Sequence, residues 1–281
     1  MDPDSIPPII GGTEAVEAPR PIRRWRWWIH IVVLSLLPLL AGAAGLLQKS
    51  TDAMLLPENI RGLIGISVDA LGSFVFLFGI AWLASRVNAQ QLLLKWRGSW
   101  QPIAWGFVSS ILLRIGVALI IFIPVTLWLL VNKVDLKNQA EMEKFRPAAE
   151  HVVNASVLVN DPLYLALTLT LISFIVAGLR EELWRAGMLA GMKAIFPQKL
   201  QNRRGEFLAV CIVAVLFGLG HTMQGWMGVA LTTLLGVGLG AIMIWRRSIW
   251  EAVIAHGFFD ASTFALLYFV AKYHPDVLHK M

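Results

Sequence analysis

The sequence predicts an all-α fold, a polytopic membrane helix bundle of about seven transmembrane helices. Three observations carry this. The 281 residues are 57% apolar and only 15% charged, where an ordinary globular domain is about a quarter charged. The apolar residues gather in runs of about 20, and at about 1.5 Å per residue each run crosses a hydrocarbon core of about 30 Å. Short loops rich in Lys and Arg separate several of the runs, the pattern of cytoplasmic loops. That placement explains the formal charge of +6 without nucleic acid, which is not expected as a partner. The single cysteine, Cys211, lies inside an apolar run. Intrachain disulfides and thiolate zinc sites are therefore excluded.

Residues 1–19 hold prolines, glycines and acids with no apolar period, and a disordered cytoplasmic tail is expected over 1–26. Its end is an interface segment, with Arg20, Arg23, Arg24 and Arg26 interleaved with Trp25, Trp27 and Trp28. The first apolar run, 27–47, has small residues from Ala41 to Gly45, as a cleaved leader would. It is longer than a leader's apolar core of about 7–15 residues, so a retained helix is expected. Further spans are expected at 62–84 and 103–132, then a polar, nearly neutral stretch at 133–160. A fourth run starts near Leu163, followed by spans at 207–224, 226–245 and 249–272 and a tail at 273–281. With the amino terminus in the cytoplasm, the basic loops at 86–97, 193–204 and 246–247 all fall inside. The 133–160 loop and the uncharged turn at 224–225 fall outside. A plasma or inner membrane is the expected location. Gly187 and Gly191, like Gly236 and Gly240, are four apart, a spacing that lets helix backbones approach closely.

Charges inside the apolar runs are the functional clue. One at mid-membrane costs about 2.5–3.5 kcal/mol on insertion scales, so it must face a protein interior or a water-filled cavity. Asp69, Arg114, Glu181, Glu182, His221 and the His256/Asp260 pair stand out. On a helix Glu181 and Arg185 share a face and are expected to pair, leaving Glu182 about 100° away for another helix or water. Alone, these residues equally describe a charge-balanced helix end. His221 follows Phe217 by one turn, with Gly218 and Gly220 leaving room around it; alone, it equally describes a histidine bonded to a carbonyl. His256 and Asp260 share a face, so the carboxylate can accept the imidazole N–H and fix its tautomer, or clamp two helices together. Collected around one cavity, these groups make a hydrolase: a carboxylate as general base and imidazoles as oxyanion donors.

In order, the chain has Glu181-Glu182 with Arg185, then Phe217 to His221, then His256 to Asp260. The run from Gly236 to Trp250 leads into Ala255-His256 through the basic turn Arg246-Arg247. In these motifs residues 160–272 resemble the CPBP family, which contains the type II CAAX prenyl endopeptidases and bacteriocin-processing and immunity proteins. The resemblance implies an intramembrane peptidase core over 161–272, behind N-terminal helices and a polar loop over 27–160. It implies that Glu181 activates water with Glu182, that His221 and His256 stabilise the oxyanion, and that Asp260 orients His256. Arg185 would balance the carboxylates, and Phe217 opens the second motif. A membrane-anchored or lipidated peptide would be the substrate and the bilayer the other partner. No cofactor is expected. Family members have also been described as metalloproteases; the chain lacks a His-Glu-x-x-His pair, but two histidines and carboxylates leave zinc open.

The chain departs from the family pattern at one place. Two residues, Leu183 and Trp184, separate Glu182 from Arg185, where the family has three. If the glutamates set the register, Glu181 takes the catalytic place and Gly187 falls where the family often has glycine. If Arg185 sets it, Arg180 falls there instead. A non-catalytic immunity or scaffold protein is the alternative, and a proton-coupled transporter a weaker one, since no repeated pair of broken helices is evident. Residue counting also leaves a tension. It puts Glu181 near the cytoplasmic end of its span and His221 far from it, unless the fourth helix continues to about residue 195.

Overall fold

In a bilayer the backbone must satisfy its own hydrogen bonds, and every apolar run of this chain does so as helix. The computed structural model describes residues 23–47, 55–96, 98–132 and 152–274. Residues 1–22 of the expected 1–26 tail, residues 275–281 of the expected 273–281 tail and most of the polar 133–160 stretch lie outside these residues; Arg24 to Arg26 of the expected tail already belong to the first helix. Helix α1 is Arg24–Leu47, α2 is Ile60–Ser85 and α3 is Gln101–Val131. A short α4, Ala155–Asn160, precedes α5, Pro162–Leu167. The chain then continues through a π-helical stretch, Thr168–Leu179, straight into α6, Arg180–Ile195. Then come α7, Arg203–Leu219, a 3₁₀ turn at Thr222–Gln224, α8, Gly225–Arg246, and α9, Trp250–Tyr273.

Among the described residues six helices are long and apolar enough to cross a membrane. The remaining expected span is α7, with 17 residues, about 26 Å at the α-helical rise. Two expected boundaries are corrected. The fourth helix runs unbroken over 34 residues from Pro162 to Ile195, which brings Glu181 to its interior. The fifth was expected to reach residue 224 but stops at Leu219. There the Gly220 and His221 amides turn back to Phe217 and Gly218 carbonyls, at 3.0 and 2.8 Å, in a tightened 3₁₀ turn.

The Trp184 indole donates to the Leu34 carbonyl at 2.9 Å and Arg24 to the Ile195 carbonyl at 2.6 Å, so α1 and α6 are antiparallel. His30 staples three helices: its Nε2–H donates to the Gly187 carbonyl at 2.9 Å, and Nδ1 lies 2.9 Å from the Ser85 hydroxyl. Helices α3 and α9 run parallel, Gly106 against Ile254 and Arg114 against Phe259 to Thr263. The basic loops meet at one end of the bundle. Glu206 receives two hydrogen bonds from Arg247, both at 2.7 Å, and one from Lys193 at 2.8 Å. Ser248 donates to the Lys95 carbonyl at 3.0 Å beside them.

Candidate active site

Four helices bring the expected residues together. Helix α6 supplies Glu181, Glu182 and Arg185; α7 and the turn after it supply Phe217 and His221; α9 supplies His256 and Asp260. Helix α3 adds Arg114. Asp69 does not join them: it sits exposed on α2.

His256 is the hub and is buried. Its Nδ1–H donates to Glu182 Oε1 at 3.0 Å. Its Nε2 lies 3.9 Å from Glu181 Oε2 and 3.6 Å from Asp260 Oδ2. The group that fixes the ring is therefore Glu182, from another helix. Asp260 was expected to do this, but it faces the other nitrogen at more than hydrogen-bond distance.

The arginine pairing also differs from expectation. Arg185 pairs with Glu182, three residues before it, and not with Glu181; both side chains are fully buried. Glu181 instead accepts from Arg180 at 2.5 Å. The i,i+3 and i,i+4 neighbours of a helical residue are close to equally placed, and burial beside His256 selects Glu182. Arg180 is the residue whose part in the site the sequence did not assign. Its place directly before the glutamate pair was the available signal.

Phe217 explains its own motif. The Arg185 guanidinium lies over its ring at 4.7 Å, and the His221 ring packs against it at 4.6 Å between centroids. One aromatic side chain thus supports a buried cation, a contact worth about 2 kcal/mol when desolvated, and positions the histidine one turn on. His221 Nδ1–H donates to the Phe217 carbonyl at 2.9 Å. Its Nε2 is then the free atom, an acceptor in the neutral ring.

Glu181 and His221 line one cavity of about 240 Å³ with Arg180, Trp184 and Phe217. The opposite wall is Leu37, Pro38 and Ala41 of α1 with Ala70, Ser73 and Phe74 of α2. It is apolar except at the Glu181–His221 side and Ser73. The tension in the residue count is resolved by the continuous fourth helix and the early end of α7.

Residues 163–262 match the family model described as Type II CAAX prenyl endopeptidase Rce1-like. This segment is similar to that family. With six helices long and apolar enough to cross a bilayer among the described residues, the chain is an integral membrane protein. No curated protein and no solved structure matches it. The CAAX-protease-like segment begins at Leu163, so α1, α2 and α3 lie outside it, yet α1 and α2 form half of the cavity wall.

Glu181 and Glu182 each face a guanidinium, and His256 Nδ1 is engaged by Glu182.

Proposed function

We propose that this protein hydrolyses a peptide bond of a membrane-anchored or lipidated peptide, with Glu181 activating the attacking water. The observation that carries the reading is the placing of Glu181. It lies between His256 and a cavity that it shares with His221. It supports the register in which the glutamates, and not Arg185, align with the family motif.

The residues divide the chemistry as follows. Glu181 takes a proton from water, whose oxygen attacks the scissile carbonyl carbon. His221 Nε2 accepts the water's other hydrogen as a hydrogen bond and aims the lone pair. The carbonyl becomes a tetrahedral oxyanion, and His256, protonated at Nε2, donates to it. Glu182 holds that ring through Nδ1. Glu181 returns its proton to the leaving nitrogen as the C–N bond breaks, so base and acid are one group. This assigns His221 to the water, whereas the resemblance gave both imidazoles to the oxyanion; the hydrogen bond to Phe217 is the reason.

The test is cleavage by reconstituted protein of peptides anchored in vesicles, prenylated and unlipidated, compared with Glu181→Gln. Cleavage lost in the variant supports the reading. Equal cleavage overturns the role of Glu181. One observation favours a second, non-catalytic reading: Glu181 is held by Arg180 at 2.5 Å. Absence of cleavage by the native protein across the peptide panel would establish that reading in its place.

The basic end of the bundle is assigned to the cytoplasm, by the excess of Lys and Arg in cytoplasmic loops. Cysteine introduced at Lys199 in a Cys211→Ser background should be labelled from the cytosolic side, and one at Gln224 from the opposite side. Reversed labelling overturns the orientation.

A further inference from the structure

Arg114 lies outside the family segment, in the middle of α3, among lipid-facing apolar residues. A guanidinium there is costly unless protein groups take its hydrogen bonds. Three acceptors on one turn of α9 share its two Nη2 hydrogens: the Phe259 carbonyl at 2.6 Å, the Ser262 hydroxyl at 2.7 Å and the Thr263 hydroxyl at 3.0 Å. Its guanidinium also lies 4.3 Å over the Phe259 ring. Phe259 is the residue before Asp260, so the grip falls on the turn that carries the third carboxylate of the site.

The surroundings of Asp260 are few. His256 faces it from its own helix, Glu181 and Glu182 from α6, and Arg114 from α3. The π stretch and α4 bring no titratable side chain to α9. Helix α8 brings only Arg246, which pairs with Glu251 at the basic end. Glu181 and Glu182 already have arginines on α6. Beyond the His256 ring, Asp260 has no cationic partner on its own helix or from the family segment.

We propose that Arg114 is a positioning residue of the site. It fixes the α9 turn that presents Asp260 to His256, and it supplies the third guanidinium beside the three carboxylates gathered around that ring. The role rests on the peptidase reading for its effect on cleavage, but its effect on the His256 ring does not. Balance is the point. Without Arg114 the cluster gains one net negative charge in a poorly screened site, and an opposite charge at close range shifts ionisation by about 1–3 pH units.

The experiment compares Arg114→Gln and Arg114→Lys with native protein in nanodiscs. Two readouts are taken: the pH–rate profile for a vesicle-anchored peptide, and the ¹⁵N signals of the His256 ring nitrogens, assigned by their loss in His256→Asn. With Arg114→Gln the acid limb of cleavage should move up by about one unit. kcat should fall about tenfold with KM unchanged, and the His256 signals should titrate differently. Arg114→Lys should restore most of both. An unmoved ¹⁵N titration in folded Arg114→Gln overturns the proposal. If native protein does not cleave, the peptidase reading fails and the ¹⁵N readout still decides this one. If Arg114→Gln does not accumulate, the double variant Ser262→Ala/Thr263→Ala frees the guanidinium with every charge kept. It should alter the same signals, and unaltered signals there overturn the proposal.

Discussion

Glu182 Oε1 meets His256 Nδ1 at 3.0 Å across 74 residues of chain, and the same carboxylate carries the fully buried Arg185. Its neighbour Glu181 faces the cavity and the more exposed Arg180. Adjacent glutamates therefore have different work. Removing one partner of a buried pair strands the other charge, at a cost of about 3 kcal/mol or more. Glu182→Gln should lower stability in detergent by about that much. Glu181→Gln should cost about 1 kcal/mol or less, since its partner is partly solvated, while cleavage falls by about a thousandfold or more. Thermal unfolding and a cleavage assay on both variants check this. Equal stability losses would mean that the two carboxylates share one structural job.

His221 is tied by Nδ1 to the Phe217 carbonyl, which leaves Nε2 for the water in the proposed mechanism. His221→Asn should lower kcat by about a hundredfold with little change in KM. A loss confined to KM would place the ring against substrate.

The bundle was legible because hydropathy and loop charge report the solvent directly, and each apolar run from 27–47 to 249–272 became helix. The candidate site was legible in part because ionisable groups such as Glu182 and His256 are costly in lipid, although Asp69, exposed on α2, stands apart from it. Their pairing was not. Glu182 and not Glu181 takes Arg185 because α9 approaches that side of α6, a tertiary fact absent from a 3.6-residue period. The π stretch at Thr168–Leu179 resets the helical face just before the glutamates, and nothing in its apolar sequence announces it. His221 leaves the helix because Gly218 packs against α8, where an added Cβ would lie 2.8 Å from the Val229 carbonyl. Sequence spacing had placed it one turn along a continuing helix.

Metal removal should leave activity intact. The guanidiniums beside Glu181 and Glu182 already balance the two carboxylates and would repel a divalent cation. Cleavage after exhaustive dialysis against a chelator should stay within about twofold of untreated protein, against the tenfold that each 1.4 kcal/mol of lost stabilisation would give. Loss of cleavage restored by zinc would replace the glutamate mechanism with a metal one.

At the basic end Glu206, one residue before the apolar part of α7, ties α6, α7 and the end of α8 together. Burial pushes its carboxyl up, but the hydrogen bonds and charges of Arg247 and Lys193 outweigh this and hold it below the usual carboxylate range. A depressed folded value means that the contribution to stability is full above the unfolded value and is lost as pH falls through the folded one. Thermal stability should therefore fall from about pH 5 downward, and Glu206→Gln should flatten that part of the curve. The same acid slope in both proteins would show that the clip contributes nothing.

The cavity is braced from outside the family segment. Gly42 of α1 packs against the end of α7, where an added Cβ would lie 2.3 Å from the Leu219 carbonyl oxygen. Its own carbonyl accepts from the Thr222 hydroxyl at 2.7 Å, one residue after His221. The obstructing atom is backbone, so Gly42→Ala must displace the turn that carries His221. It should cost about 1–3 kcal/mol and lower cleavage about tenfold, the effect of about 1.4 kcal/mol on a barrier. Gly72 of α2 is the control, since a Cβ there meets nothing within 4 Å. Gly72→Ala should be neutral or stabilise by up to about 1 kcal/mol through helix propensity. If the two alanine variants behave alike in unfolding and cleavage, α1 does not position His221, and the cavity wall from outside the family segment is mere packing.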